Sequence, residues 1–226
     1  LSLQISVWFQ DVKKGNFYAC LTVAADGIFC YTFHNKNERG NNMKTIGVIL
    51  SGGQSRRMGR DKARLDFGGR PMLTHLVETY RPFFDKIFVS VNQAGRFDTA
   101  GAGEIVDRRP GLGPLAALES IFLETDADVA FLTATDLPFG DPEIARQLAD
   151  GCSGHDACLL SMDEPLFAAY SRRCLPAVTY SLDEDNRQPR RLLHTLDCRI
   201  LPCDPDRARR ILTNVNDPEE YHRALA

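Results

Sequence analysis

The chain has 226 residues, 43% hydrophobic and 25% charged, with 27 Lys plus Arg against 30 Asp plus Glu and a net charge of −3. That length suits one α/β domain or one domain plus an appendage, and the composition excludes a disordered chain, a collagen-like fibre and a coiled-coil rod. No stretch approaches 18 uninterrupted apolar residues, so no membrane span is expected, and the slightly acidic balance disfavours nucleic acid as a partner.

Residues 1–42 differ from the rest. They hold seven of the twenty aromatic residues and run out through the polar stretch His34–Asn42, a linker composition. No cleavable secretory leader is legible in them. Three readings stand: an extension not native to the protein, with Met43 the natural start; a small β-rich appendage; or the remnant of a fused domain. Residues 43–226 form the main domain on any of them.

From residue 43 the elements follow in order. TIGVIL (Thr45–Leu50) is a short β-branched apolar run ending at Ser51-Gly52-Gly53, the look of a central buried strand. Pro71–Tyr80 has proline at a helix start and apolar residues at helical spacing. Lys86–Val91 reads as the second strand, Glu104–Val106 as the third, Pro114–Glu124 as a helix and Asp128–Thr135 as the fourth strand. Asp141-Pro142 is an N-cap followed by proline at the first helical position, opening a helix to Ala149. Further on, Asp156–Ser161 and Leu166–Tyr170 read as strands. Arg172–Leu182 and Pro189–Leu196 read as helices, Cys198–Leu201 as a short strand, and Pro218–Leu225 as a closing helix capped by Asp217.

Strands alternating with helices every 20–30 residues mean βαβ crossovers. The expected fold is a Rossmann-like three-layer α/β/α architecture with a mostly parallel central sheet. In such sheets ligands bind beyond the carboxyl ends of the strands. The polar clusters fall there: Ser51-Gly52-Gly53, Asn92, Asp107 and Asp136.

LSGGQSRRMGRDK (Leu50–Lys62) carries the strongest chemical signal. Paired glycines let backbone amides approach a ligand, and Arg56, Arg57, Arg60 and Lys62 supply cations, as a polyphosphate requires. Neither of the two best-known glycine-rich phosphate loops is present in it. Asp136-Leu137-Pro138 places a carboxylate at a strand end, where it can hold Mg²⁺ together with substrate phosphates, or serve as a plain turn residue. In IVDRRPGLGPLAAL (Ile105–Leu118) Gly111, Gly113 and Pro114 turn into a helix, and Asp107 could accept from a base or ribose. In TNVNDPEE (Thr213–Glu220) Asn214 or Asn216 could complete a metal shell or only cap the last helix. Arg187–Arg191 could meet a second substrate's phosphate or be a solvated helix start. The five histidines share no ligand spacing and read as surface or packing residues. Seven cysteines, an odd number with no Cys-x-x-Cys pair, read as reduced thiols of a cytoplasmic protein.

Taken in order, LSGGQSRRMGRDK, IVDRRPGLGPLAAL, TATDLPF and TNVNDPEE resemble the motifs of the MobA-type molybdenum cofactor guanylyltransferases, over residues 44–226. The resemblance implies transfer of GMP from GTP to the phosphate of molybdopterin or its molybdenum form, with pyrophosphate leaving and Mg²⁺ required. A related transferase using CTP, or acting on another phosphorylated small molecule, is the alternative. By position, Leu50, Ser51, Gly52 and Gly53 would form the nucleotide loop and Lys62 would contact GTP phosphate. Asn92 and Asp107 would fall on the base and ribose side, and Asp136 would bind Mg²⁺. Asn216 would belong to the metal and pterin side. Arg57, Lys62 and Asp136 are the expected catalytic residues. Molybdoenzymes or cofactor-insertion proteins are the implied protein partners. Ser51 replaces the family's usual alanine, and Asp163–Tyr170 on the pterin side is compact.

Overall fold

The computed structural model describes residues 5–10, 17–23, 29–35, 43–51, 61–215 and 220. The chain divides into two units, Leu1–Met43 and Lys44–Ala226. In the first, β1 (Ile5–Gln10), β2 (Phe17–Val23) and β3 (Phe29–Asn35) pair antiparallel in the order β1-β2-β3.

The second unit is built on a seven-stranded sheet. Its strands are β4 (Thr45–Leu50), β5 (Lys86–Val91), β6 (Gly103–Val106), β7 (Val129–Ala134), β8 (Ala157–Leu159), β9 (Ala168–Ser171) and β10 (Cys198–Ile200). Their order across the sheet is β10-β8-β9-β7-β4-β5-β6. β4 pairs parallel with both β5 and β7, β5 with β6, and β8 with β10. β9 alone among these strands runs antiparallel, to β7 on one side and β8 on the other. All six residues of β4 and all six of β7 are buried, as expected of central strands covered on both faces.

Helices α1 (Met72–Tyr80), α2 (Pro114–Glu124), α3 (Pro142–Gly151), α4 (Leu175–Asp183), α5 (Pro189–Leu193) and α6 (Pro205–Ile211) complete the unit. Side-chain alternation along the strands decides which face meets which helix. Ile46, Val48 and Leu50 of β4, with Ala130, Leu132 and Ala134 of β7, pack with Leu115, Leu118, Ile121 and Phe122 of α2 and with Val178 and Leu182 of α4. On the other face, Phe131 meets three aromatic rings: Tyr80 of α1 (centroids 5.4 Å apart), Phe84 (5.5 Å, stacked) and Phe167 (5.0 Å, edge-on). α3 packs against β7, β8 and β9.

The caps follow the sequence signals. Asp141 accepts from the amides of Glu143 (3.0 Å) and Ile144 (3.2 Å), with Pro142 at the first helical position. Gly113 precedes α2 at φ +84°, and Gly111 stands at φ +81°, a region in which a Cβ would be strained. Several expected elements move. The helix expected from Arg172 is a short 3-10 turn, Arg172–Cys174, followed by α4 from Leu175. Pro176 has no amide to give a preceding carbonyl, so it belongs in a first turn and not in a helix interior. The strand expected at Leu166 begins at Ala168, because Glu164 folds the preceding segment by accepting from the Leu166 amide at 3.1 Å. The strand expected over Asp156–Ser161 is confined to Ala157–Leu159. The helix expected to reach Leu196 ends at Leu193. α6 is not among the expected elements, although Asp204 caps it through the Asp206 and Arg207 amides. Of the expected closing helix Pro218–Leu225 only Glu220 is among the described residues, and it is helical.

Candidate active site

From β4 outward, β5 and β6 follow in chain order, and β7 starts the other half of the sheet on the opposite edge of β4. The order therefore reverses between β4 and β7, and a crevice opens at their carboxyl ends. The site residues sit on that rim.

Leu50 is the last residue of β4 and its carbonyl accepts from Thr135 N at 3.3 Å. Ser51 is buried, and both its amide (3.1 Å) and its hydroxyl (3.0 Å) donate to the Ser90 carbonyl at the end of β5. Ser90 in turn donates its hydroxyl to Asp107 Oδ1 at 2.8 Å. The ends of β4, β5 and β6 are thus stitched together through the carbonyl and the hydroxyl of Ser90. Asp107 is 7% exposed. Burial pushes its carboxyl above the usual carboxylate range, and the Ser90 hydrogen bond offsets part of that rise. Asn92 accepts from the Gly111 amide at 3.3 Å, which ties the loop after β5 to the turn before α2. Gly52, Gly53, Arg57 and Asn216 lie outside the described residues.

Lys62 opens a 3-10 turn, Lys62–Arg64, capped by Asp61. Asp61 also holds Arg96 at 2.8 Å, joining the Lys62 turn to the loop that follows Asn92. Asp136 stands two residues past β7. Leu137 N donates to Ala134 O at 3.0 Å, and Val215 N donates to Asp136 O at 2.8 Å. Lys62 Nζ lies 3.7 Å from Asp136 Oδ2, the two side chains being 15% and 28% exposed. Asp136 Oδ1 is buried and has no hydrogen-bond partner among the described residues. A buried carboxylate oxygen without a donor is costly, and a cation answers it. Among the described residues no cluster of three or more His, Cys, Asp or Glu is set to hold a metal. One carboxylate still suits Mg²⁺, which keeps waters and takes phosphate oxygens for its other positions.

Two supporting groups escape a reading of the sequence. Ser90 is a lone polar residue in an apolar strand. Glu119 is 3% exposed on the core side of α2 and binds Arg109 through two contacts, at 2.9 and 3.2 Å, while accepting from Thr179 at 3.0 Å. Arg109 also reaches Asp183 at 2.7 Å. A single carboxylate on a buried helix face demands such a partner, which is the available signal. Asn214 donates its side-chain amide to Glu164 at 3.3 Å, fastening the strap beside Asp136.

A mostly parallel sheet whose strand order reverses between β4 and β7, with Lys62 and Asp136 paired on that rim, is an α/β architecture of the nucleotide-binding kind. The chain belongs to the MobA-like NTP transferase domain family, whose sequence model matches residues 47–200; it is a nucleotidyltransferase. It is 31% identical over 186 residues to a probable molybdenum cofactor guanylyltransferase of Carboxydothermus hydrogenoformans, covering 79% of this chain and 93% of that one. It is 30% identical over 188 residues to the molybdenum cofactor guanylyltransferase of Rhodobacter capsulatus, covering 80% and 95%. The crystal structure of molybdopterin-guanine dinucleotide biosynthesis protein A from Archaeoglobus fulgidus shares the fold, with a TM-score of 0.68, 23% identity and coverage of 80% of this chain and 96% of that one. Among the described residues no helix is long and apolar enough to cross a membrane.

Proposed function

We propose that the protein transfers GMP from GTP to the terminal phosphate of molybdopterin or its molybdenum form, releasing pyrophosphate. The observation that carries this reading is the Lys62–Asp136 pair on the rim between β4 and β7, with Asp136 Oδ1 buried and lacking a donor among the described residues. The names and extent of the similar proteins support the choice of substrates.

In this reading a phosphate oxygen of the pterin attacks the α-phosphorus of GTP in line. The new P–O bond forms as the bond to the bridging oxygen breaks, and that oxygen leaves with the electron pair on pyrophosphate. The nucleophile arrives ionised, so the protein supplies no general base. Its work is positioning and charge neutralisation. Lys62 exchanges Asp136 for phosphate oxygens when the nucleotide arrives, and Arg57 with the amides of Gly52 and Gly53 receives the same polyphosphate. Asn92 and Asp107 take the base and ribose side. Asp136, with Asn216, would hold Mg²⁺, which when bound supplies positive charge against the α-phosphate oxygens.

The test is pyrophosphate release and dinucleotide formation with GTP, Mg²⁺ and a molybdopterin acceptor. Asp136→Asn and Lys62→Ala should each lower kcat on the order of 100-fold, as loss of a preorganised charge contact commonly does. Near-normal turnover in both variants overturns the assignment. Among GTP, CTP, ATP and UTP, GTP with Mg²⁺ should raise the melting temperature most, because ligand bound to the native state stabilises it by mass action. A larger shift with CTP overturns the base preference.

A further inference from the structure

Asp136 is useful only if the turn that carries it is held still, and the turn has few backbone anchors of its own. Leu137 N closes onto Ala134 O, and Val215 N takes Asp136 O. Pro138 has no N–H to offer, so its carbonyl is the one backbone group by which that residue can be tied. The group that takes it is His75, from the first turn of α1: Nε2 lies 3.3 Å from Pro138 O. On the other side of the ring, Nδ1 lies 3.1 Å from Arg70 Nη2. Arg70 is itself paired with Glu78 of the same helix.

These two neighbours define what the ring must be. A guanidinium can only donate, so Nδ1 must accept; a carbonyl can only accept, so Nε2 must carry the proton. The ring is therefore neutral, in the Nε2–H tautomer, with the assignment set by its partners. Burial lowers its pKa, with Arg70 acting in the same direction and the Pro138 contact and Glu78 opposing, which agrees with a neutral ring. The ring is also wedged. Phe67 packs against it at 4.8 Å between centroids and meets Phe139 edge-on at 5.9 Å. Phe67 and His75 together hold both Pro138 and Phe139, the two residues that leave the Asp136 turn.

We infer that His75 is a positioning residue for the transfer reaction: by donating from Nε2 to the Pro138 carbonyl it fixes the Asp136-Leu137-Pro138 turn, and through it the carboxylate that faces the triphosphate. The inference rests on the proposed function for its kinetic consequence, but the contact itself is testable without turnover. It goes beyond the fold's expected site, because a histidine with no metal-ligand spacing reads in the sequence as a packing residue.

The test compares wild type, His75→Gln and His75→Ala. Gln offers an amide donor at a similar reach; Ala offers none. In His75→Ala kcat should fall about tenfold, the order expected for slight misplacement of a reacting group. KM for GTP should stay within about twofold, since the Asn92 and Asp107 side of the site is untouched. His75→Gln should recover most of the loss. A purely structural role would instead lower melting temperature in both variants alike, with no split between kcat and KM and no rescue, and that result overturns the inference. The second arm is ¹⁵N NMR of histidine-labelled protein, with the His75 signals identified by their loss in His75→Gln. A protonated Nε2 with a bare Nδ1 near neutral pH supports the contact; the opposite tautomer or an imidazolium overturns it. Should wild type fail to transfer GMP to a pterin, the proposed function fails, and the NMR arm still decides whether His75 donates to the Pro138 carbonyl.

Discussion

Gly140 offers a sharp test of how tightly the face of the sheet behind the site is packed. A methyl at this position would sit 1.9 Å from Tyr80 Oη, 2.9 Å from Phe167 Cε2 and 3.2 Å from Tyr80 Cζ. Tyr80 is 1% exposed and Phe167 0%, so neither ring can swing into solvent. Overpacking a dense core costs about 1–3 kcal/mol, and so close an approach to a confined group belongs at the upper end, roughly 3 kcal/mol. At about 2–4 °C per kcal/mol for a unit of this size, Gly140→Ala should melt roughly 6–12 °C lower. The Tyr80 hydroxyl faces Thr133, yet neither Tyr80 Oη nor Thr133 Oγ1 makes a well-formed hydrogen bond among the described residues. Removing that hydroxyl in Tyr80→Phe should therefore be close to neutral. It also deletes the tightest of the three contacts, leaving Gly140→Ala to cost about 1 kcal/mol in the Tyr80→Phe background. A double-mutant cycle by urea denaturation should read a coupling of about 2 kcal/mol. Additive effects, or a Gly140→Ala protein as stable as wild type, would refute the packing argument.

Glu119→Ala removes the buried partner of Arg109 and should cost about 2–3 kcal/mol in urea unfolding, less than a fully buried pair would, because Arg109 keeps Asp183 and some water; no loss would show the clamp to be idle. Asp107 has a folded-state pKa above its unfolded value, so the folded state binds more protons and stability declines as pH rises through that window. Asp107→Asn should therefore melt higher than wild type near neutral pH and lose the difference at pH below the ordinary carboxylate range, while weakening GTP binding; a lower melting temperature at neutral pH would contradict this. Burial raises the Cys158 thiol to about 11 and Cys174 to about 12, so iodoacetamide at pH 8 should label the partly exposed Cys203 well before Cys152, Cys158 and Cys174; early labelling of Cys174, read by peptide mass analysis, would count against the fold around it.

The first half of the catalytic unit is legible because its pattern and its chemistry agree. TIGVIL and DVAFLTAT are continuous apolar runs, and both central strands are buried along their length. Asp141-Pro142 announces α3. Asp204-Pro205 announces α6 in the same way, but PDRARRI offers only Ala208 and Ile211 as apolar residues within the helix, so periodicity hides what the cap reveals. The direction of β9 is not legible at all, since alternation is the same in parallel and antiparallel strands. The rim residues Asn92, Asp107 and Asp136 can be picked out as polar residues at strand ends. Ser90 and His75, which hold Asp107 and the Asp136 turn, cannot, because a residue that acts through another leaves no spacing of its own.

The reversed strand β9 has an architectural consequence. Because it runs against β7 and β8, its beginning and the finish of β8 open onto the same edge as Asp136. Residues 160–167 therefore form a loop rooted at both ends in the sheet, with Pro165 and Phe167 buried and Asp163 exposed. The exposed part of such a loop can change its side chains while its buried residues and the β4–β7 rim stay as they are. One scaffold is thereby open to variation at its rim without disturbance of the core beneath it.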